Sequence, residues 1–215
     1  MKRRELLATS GLFATVPISG CLSFLEEDNE DEYPDLPSKE RVSEPPYQIE
    51  IPEESSWNPN YLGQNMSYSP TVSFSKVNNA SLENKKLSVK SMVEANEYLV
   101  RFIDNQSDLD KILDTNSGFS IDFSDEILIV VESGYGSSSM IHKWRRVEET
   151  EKGLSLYGFY QEPLDKRLDF KSKSSIIRAE KPDNLSNISV NLTVTEDHRV
   201  HFDSDEGIVR VEVIA

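Results

Sequence analysis

A mostly β domain of the α+β class, an antiparallel sheet or sandwich with one short helix at about 107–114, is what this 215-residue chain predicts. Three observations carry that prediction. From residue 71 onward apolar side chains recur at every second position in run after run, the period of a strand with one face buried. The run EILIVVES at 126–133 carries a continuous β-branched stretch, which reads as a central strand buried on both faces. Only NQSDLDKILDTNSG, at 105–118, has strong helical spacing.

Taken in order, TVSFSKV (71–77) alternates. SMVEANEY (91–98) has a weak helical reading that competes with EYLVRFID (97–104), which is apolar enough for an interior strand. The helix follows. Ser107 is its expected N-cap, Asp108 and Asp110 lie in the first turn, and Leu109, Ile112 and Leu113 share one face. Asn116 and Gly118 are expected to stop it. Beyond EILIVVES, SMIHKWRRVEE (139–149) places Met140, His142 and Trp144 on one side, and GLSLYGFYQ (153–161) groups Leu154, Leu156 and Tyr160. SIIRAEK (175–181) is short. In NISVNLTVTE (187–196), Ile188, Val190, Leu192 and Val194 face one way while Ser189, Asn191, Thr193 and Thr195 face the other, the pattern of a half-exposed antiparallel strand. GIVRVEVI (207–214) comes last. Strand, helix, buried strand and then a series of strands predicts one mostly antiparallel domain over 61–215.

The start of the chain has a different character. Lys2, Arg3 and Arg4 precede a weakly apolar stretch, Leu6 to Ile18, broken by Thr9, Ser10, Gly11 and Pro17. It is too short and too polar to span about 30 Å of hydrocarbon as a permanent helix, and it has the layout of an export signal. Arg3-Arg4-Glu5-Leu6-Leu7 resembles the twin-arginine export motif, an address read by a receptor. Ile18-Ser19-Gly20-Cys21 resembles the lipobox of prokaryotic lipoproteins. The resemblance implies a signal peptide over 1–20, cleavage before Cys21, and acyl chains on that cysteine that hold the protein to the outer face of the cytoplasmic membrane. The alternative is an N-terminal membrane helix that merely contains a cysteine. Cys21 is the one cysteine; once it is lipidated, no thiol remains for a disulfide, a nucleophile or a metal site.

Residues 21–60 are rich in acids and prolines, with apolar residues scattered without period, and read as a disordered, extended tether. Trp57 and Tyr61 are expected to dock at the domain edge. With 38 acidic against 23 basic residues, the formal net charge is -15. Such a surface repels nucleic-acid phosphates and anionic lipid headgroups, so no nucleic-acid partner is expected. Twin-arginine export, lipobox and acidity together resemble the secreted lipoproteins of halophilic archaea. At about 1 M salt a Debye length of about 3 Å suppresses the self-repulsion, which at low salt would work against the compact state. An ordinary acidic protein of a low-salt organism is the alternative.

RFIDNQSDLDKIL, IDFSDEILIVVESGYGSSS, HKWRRVEETEKGLSLYGFYQEP and SIIRAEKP follow one another over 98–182. In that order they resemble the PrcB-like domain: a helix with an aspartate-rich start, a buried strand, a Gly-rich loop, two charged strands and a strand ending in Lys-Pro. The resemblance implies a small β-rich accessory domain of a proteolytic complex, and it transfers no functional residue.

Candidate chemistry is sparse. Gly134-Tyr135-Gly136 follows a buried strand but lacks the Gly-Lys-Ser/Thr ending and the helix of a phosphate loop, so a hairpin turn is expected. His142, His198 and His201 have no zinc spacing, and no serine sits in a nucleophile-elbow context. Asp203-Ser204-Asp205-Glu206-Gly207 is too short for an EF-hand and reads as an acidic hairpin turn with at most weak cation affinity. No metal or cofactor is expected. Trp144 with Lys143, Arg145 and Arg146, beside Tyr135 in the preceding loop, is the one basic and aromatic patch; it either stacks on an acidic or sugar-like ligand or pairs its arginines with Glu148, Glu149 or Glu151. Asn65, Asn79, Asn105, Asn184, Asn187 and Asn191 each begin an Asn-x-Ser/Thr triplet, the acceptor pattern for N-linked glycans. The expectation is a non-catalytic binding or envelope-complex accessory domain that meets a protein or glycan partner through its sheet and the Gly134–Ser139 loop. The alternatives are a hydrolase acting on envelope polymer and a structural stalk.

Overall fold

The computed structural model describes strand backbone at 42–43, 48–50 and 60–62, and then residues 72–78, 80–87, 96–114, 119–134, 136–165, 167, 169, 171–195 and 198–211. The chain divides into two compact units, Met1–Glu32 and Tyr33–Ala215. The first lies outside the described residues, as do Arg3, Arg4 and Cys21.

Fourteen strands and one helix are described in the second unit: β1 (Val42–Ser43), β2 (Gln48–Glu50), β3 (Asn60–Leu62), β4 (Phe74–Lys76), β5 (Ser81–Leu82), β6 (Glu97–Ile103), α1 (Gln106–Ile112), β7 (Leu113–Asp114), β8 (Glu126–Ser133), β9 (Ile141–Thr150), β10 (Gly153–Gln161), β11 (Lys173–Glu180), β12 (Asn187–Thr193), β13 (Arg199–Asp203) and β14 (Val209–Arg210). Two five-stranded sheets result, ordered β1-β13-β12-β10-β9 and β14-β6-β8-β11-β4; β2 pairs with β3, and β5 with β7. The expected mostly β class with a single short helix is what the described residues form.

The odd-numbered residues of β8, Ile127, Ile129 and Val131, pack into a core shared with Leu154 and Leu156 of β10, Ile188, Val190 and Leu192 of β12, and Val200 and Phe202 of β13. This is the interior of a sandwich, with side chains from both sheets. The even-numbered Leu128 and Val130 face the other way, into a second cluster closed by Leu109 and Leu113, with Phe119, Ile121 and Phe123 packed against it. All five residues from Ile127 to Val131 are 0% exposed. Each such side chain contributes roughly 2 kcal/mol of burial, so β8 alone supplies gross stabilisation comparable to a domain's whole net stability of about 5–15 kcal/mol.

Several local details differ from the sequence expectation. Asn105, not Ser107, caps α1: its Oδ1 accepts the Asp108 N–H at 3.0 Å, and its Nδ2 donates to Asp108 Oδ2 at 2.9 Å. The carboxamide thus satisfies a free helix donor and holds the first-turn acid at once, and Ser107 falls inside the helix. Leu113 ends the helix in extended conformation and opens β7, while Asn116 and Gly118 lie outside the described residues. At 97–98 the strand reading prevails over the helical one, and 91–95 are outside the described residues. β12 is not purely antiparallel: it pairs antiparallel with β13 but parallel with β10. The reason is the route, since the chain leaves for the other sheet as β11 before returning, and so re-enters beside β10 running the same way. β8 and β9 belong to different sheets, so Gly134–Ser139 is a crossover and not a hairpin. The turn at 203–207 likewise carries the chain from β13 to β14 of the opposite sheet. Within the stretch expected as a tether, β1 pairs with β13 and β2 with β3; backbone groups along the edge of β13 accept a partner regardless of its side-chain pattern. The side chains of Trp57 and Tyr61 are outside the described residues.

One buried acid lies on the helix-facing side of β8. Glu132 is 1% exposed. It is bonded to the Arg101 guanidinium and accepts the Lys86 and Leu87 N–H groups at 2.8 and 3.1 Å. It thereby fixes the 80–87 segment onto the sheet. Glu132→Ala strands a half-buried guanidinium and two amides; an expected loss of about 3 kcal/mol is measurable by chemical denaturation in high salt, with Glu132→Gln losing less. Equal stability of the alanine variant and the wild type contradicts this role.

Candidate functional site: a buried histidine relay beneath a tied pair of loops

The two sheets are joined by polar groups near one end of the sandwich. Ser133 closes β8, Ser175 lies on β11, and across the interior His142 of β9 stands opposite Tyr160 of β10 in register. Ser133 Oγ lies 2.9 Å from His142 Nε2, and Ser175 Oγ lies 3.0 Å from Nδ1. The Tyr160 hydroxyl is bonded to Ser133 Oγ. A neutral imidazole donates from one nitrogen and accepts at the other, so the relay Tyr160–Ser133–His142–Ser175 is satisfied in either direction. Burial first, then the charges of Lys173 and Lys76, push His142 from its ordinary 6.5 down to about 3.

Above the relay two loops are tied together. The 134–140 crossover turns at Gly136, whose φ of +83° suits glycine and where a β-carbon would collide with Met140 Sδ. Its carbonyl accepts from Lys173 Nζ at 3.2 Å. Ser138 donates its N–H to Asp169 O at 3.2 Å and its hydroxyl to Asp169 Oδ1 at 2.6 Å, and Ser139 Oγ accepts the Arg167 N–H at 3.3 Å. Lys173 also lies 5.5 Å from the centre of the Tyr160 ring. Burial lowers its amine to about 8, opposed by Asp169. Chemically, the arrangement resembles a serine–histidine pair without its acid. His142 Nδ1 faces a serine hydroxyl where a triad has a carboxylate, the neighbouring charges are cationic, and Ser133 is 0% exposed. Such a histidine holds neither the proton affinity nor the access of a general base.

The other anticipated residues are dispersed. Trp144 packs against the inter-sheet core, edge-on to His142 with ring centres 5.7 Å apart, and its ring lies over Gly158, where a β-carbon would clash. The pairing of β9 with β10 shifts between Tyr157 and Gly158, leaving Arg145 as an extra residue. That bulge brings Val147 into the core and turns Arg146 away from Trp144. Arg146 is paired with Glu148, the ion pairing anticipated as the alternative to ligand stacking. Tyr135 lies outside the described residues. His198 Nδ1 is 3.1 Å from Thr195 Oγ1, and His201 Nδ1 donates to Asn191 Oδ1 at 2.7 Å. At the 203–207 turn Glu206 Oε2 accepts the Asp203 N–H at 2.9 Å.

A cleft of about 700 Å³ is lined by Asp122, Asp125, Glu126, Arg178 and Glu180. Ser124 holds the Asp122 carboxyl below its usual range, and Glu126 is bonded to Arg178. A glycosidase acid needs the opposite shift. Sequence reasoning did not single out Ser133, Ser175 or Lys173, and it placed Tyr160 only as a strand residue sharing a face with Leu154 and Leu156. The available signal was polar residues at inward positions of otherwise apolar strands.

The lowered His142 has a stability consequence. Between about 3 and 6.5 the unfolded chain takes up a proton that the folded chain refuses. Stability is therefore full above 6.5 and falls as pH drops below it, by about 1.4 kcal/mol per pH unit. His201, also lowered by burial and then Arg199, contributes with the same sign, so the comparison must be between variants. Denaturation at fixed high salt from pH 7 to pH 5 is expected to cost the wild type about 2 kcal/mol more than His142→Gln; identical pH dependence of the two contradicts the buried neutral imidazole. No family model matches this chain, and neither a curated protein nor a solved structure matches it.

Proposed function

We propose that this chain is a lipid-anchored, extracytoplasmic protein whose β-sandwich binds a protein or glycan partner and catalyses no reaction. The observation that carries the binding part is the tied loop pair. Gly136, Ser138 and Ser139 of one loop are joined to Lys173, Asp169 and Arg167 of the other by the Ser138–Asp169, Ser139–Arg167 and Gly136–Lys173 bonds. A surface ordered before binding loses little entropy on docking. The inert character of the relay beneath it supports a scaffold reading over a hydrolase. The anchoring part rests on Arg3, Arg4 and the Ile18–Cys21 segment. The acidic composition supports a high-salt setting. The order of helix, buried strand, Gly-rich loop and charged strands over 98–182 supports an accessory role in an envelope complex, as the PrcB-like resemblance implies.

The test is isolation of the protein from cell envelopes at high salt, with mass spectrometry of its N-terminus and cross-link mapping. The expected chain begins at an acylated Cys21 and carries one stoichiometric partner cross-linked at Lys171, in the loop pair, and not at Lys111 on α1. Cys21→Ser is expected to leave the membrane fraction. An intact initiator methionine with a free thiol contradicts the anchor, and a partner cross-linked only at Lys111 contradicts the loop surface.

A further inference from the structure

The described acceptor triplets are not equivalent once folded. Asn105 is the cap of α1, with Oδ1 on the Asp108 N–H and Nδ2 donating to Asp104 and Asp108 at 2.9 Å each. Asn191 Nδ2 donates to Ser155 Oγ at 3.0 Å, while its Oδ1 accepts from His201. A sugar on that nitrogen would displace Ser155 from the face of the sheet. Asn187 Oδ1 accepts from the Ser204 hydroxyl and N–H at 2.8 and 3.3 Å. The hydroxyl of its own triplet, Ser189 Oγ, donates to Ser155 at 2.9 Å.

Asn184 differs in its own side chain, which is exposed where Asn187 is half-buried, although the hydroxyl of its triplet is bonded as that of Asn187 is. It lies in the connection between β11 and β12, is exposed, and makes no side-chain hydrogen bond to a described residue. Its flanks are anchored: Pro182 is buried, Leu185 packs against the core, and Ser186 bonds through N–H and hydroxyl to Lys152 O at 2.9 and 2.8 Å. The triplet is thus held at the surface with its acceptor amide bonded to no described residue, and Ser186 is itself exposed.

We infer that Asn184 is a glycan acceptor of this protein, and that Asn105, Asn187 and Asn191 are structural. The donor class is a polyisoprenyl-phosphate-linked saccharide. The bond from Asn184 Nδ2 to the anomeric carbon forms as that carbon's bond to the lipid phosphate oxygen breaks. The lipid phosphate leaves with the electron pair, the transferase takes one amide proton, and nothing is oxidised or reduced. The order of folding and transfer does not change the selection, because a glycan added to the unfolded chain must still be accommodated in the folded one. The inference rests on the extracytoplasmic reading, since the donor is used outside the cytosol.

The test is peptide mapping by mass spectrometry of protein from the cells that make it. The Asn184 peptide is expected to carry a saccharide mass, with Asn105, Asn187 and Asn191 bare. Asn184→Gln and Ser186→Ala lose that mass, and Ser186→Thr keeps it. A bare Asn184 overturns the inference whatever the state of Cys21, and a glycan on Asn191 overturns the occupancy argument. Acylated Cys21 beside bare Asn184 marks failure of this inference alone, whereas a free thiol marks failure of the anchored reading.

Discussion

A strand that must be covered on both faces organises this domain. β8 exposes nothing from Ile127 to Val131, so it requires an apolar layer on each side. The first is the β1–β9 sheet, which turns the fold into a sandwich. The second is α1 with the segment around Phe119, Ile121 and Phe123. A two-layer sandwich leaves the outer face of each sheet to solvent. Here the sheet containing β8 cannot do so, and the short helix exists to close it. Its own stability counts for little, since seven residues lie below the length at which an isolated helix persists.

Polar groups at the C-terminal end of β8 inherit the same burial. Glu132 points to the helix side and Ser133 to the sandwich interior, and each is fully bonded: Glu132 by Arg101 and two backbone amides, Ser133 by His142 and Tyr160. Buried polar networks fix geometry when every member is satisfied. The Ser133 network links β8 and β11 of one sheet with β9 and β10 of the other, so it sets their relative position directly under the 134–140 loop. Burial that makes the histidine a good positioning group also makes it a poor base, because desolvation removes its charged form. The same physics thus supports an ordered surface above the relay and removes reactivity from within it.

What the sequence disclosed was what depends on one chain segment alone. The alternation in 187–194, the grouping of Leu154, Leu156 and Tyr160, the two-sided burial of β8 and the apolar face of α1 all follow from local spacing, and all are present. What it hid depends on two segments meeting. The parallel register of β10 with β12 comes from the detour through β11. The separation of Trp144 from Arg146 comes from a bulge opposite Tyr157 and Gly158, which no pattern in 139–149 announces. The choice of Asn105 over Ser107 turned on a reciprocal bond to Asp108 that both residues' types would permit. The histidine relay draws one residue from each of four strands, so none of its members had a motif to mark it. Short strands within 42–62 pair through backbone, and backbone pairing leaves no side-chain period to read.

Native-state amide hydrogen exchange tests the central claim that β8 is the axis of the domain. If two apolar layers close over it, the amides of Ile127 to Val131 exchange only by global unfolding and are the slowest in the protein, slower than those of the edge strand β9. Exchange of β8 amides as fast as those of β9, or through local opening at a lower free energy, would contradict the account.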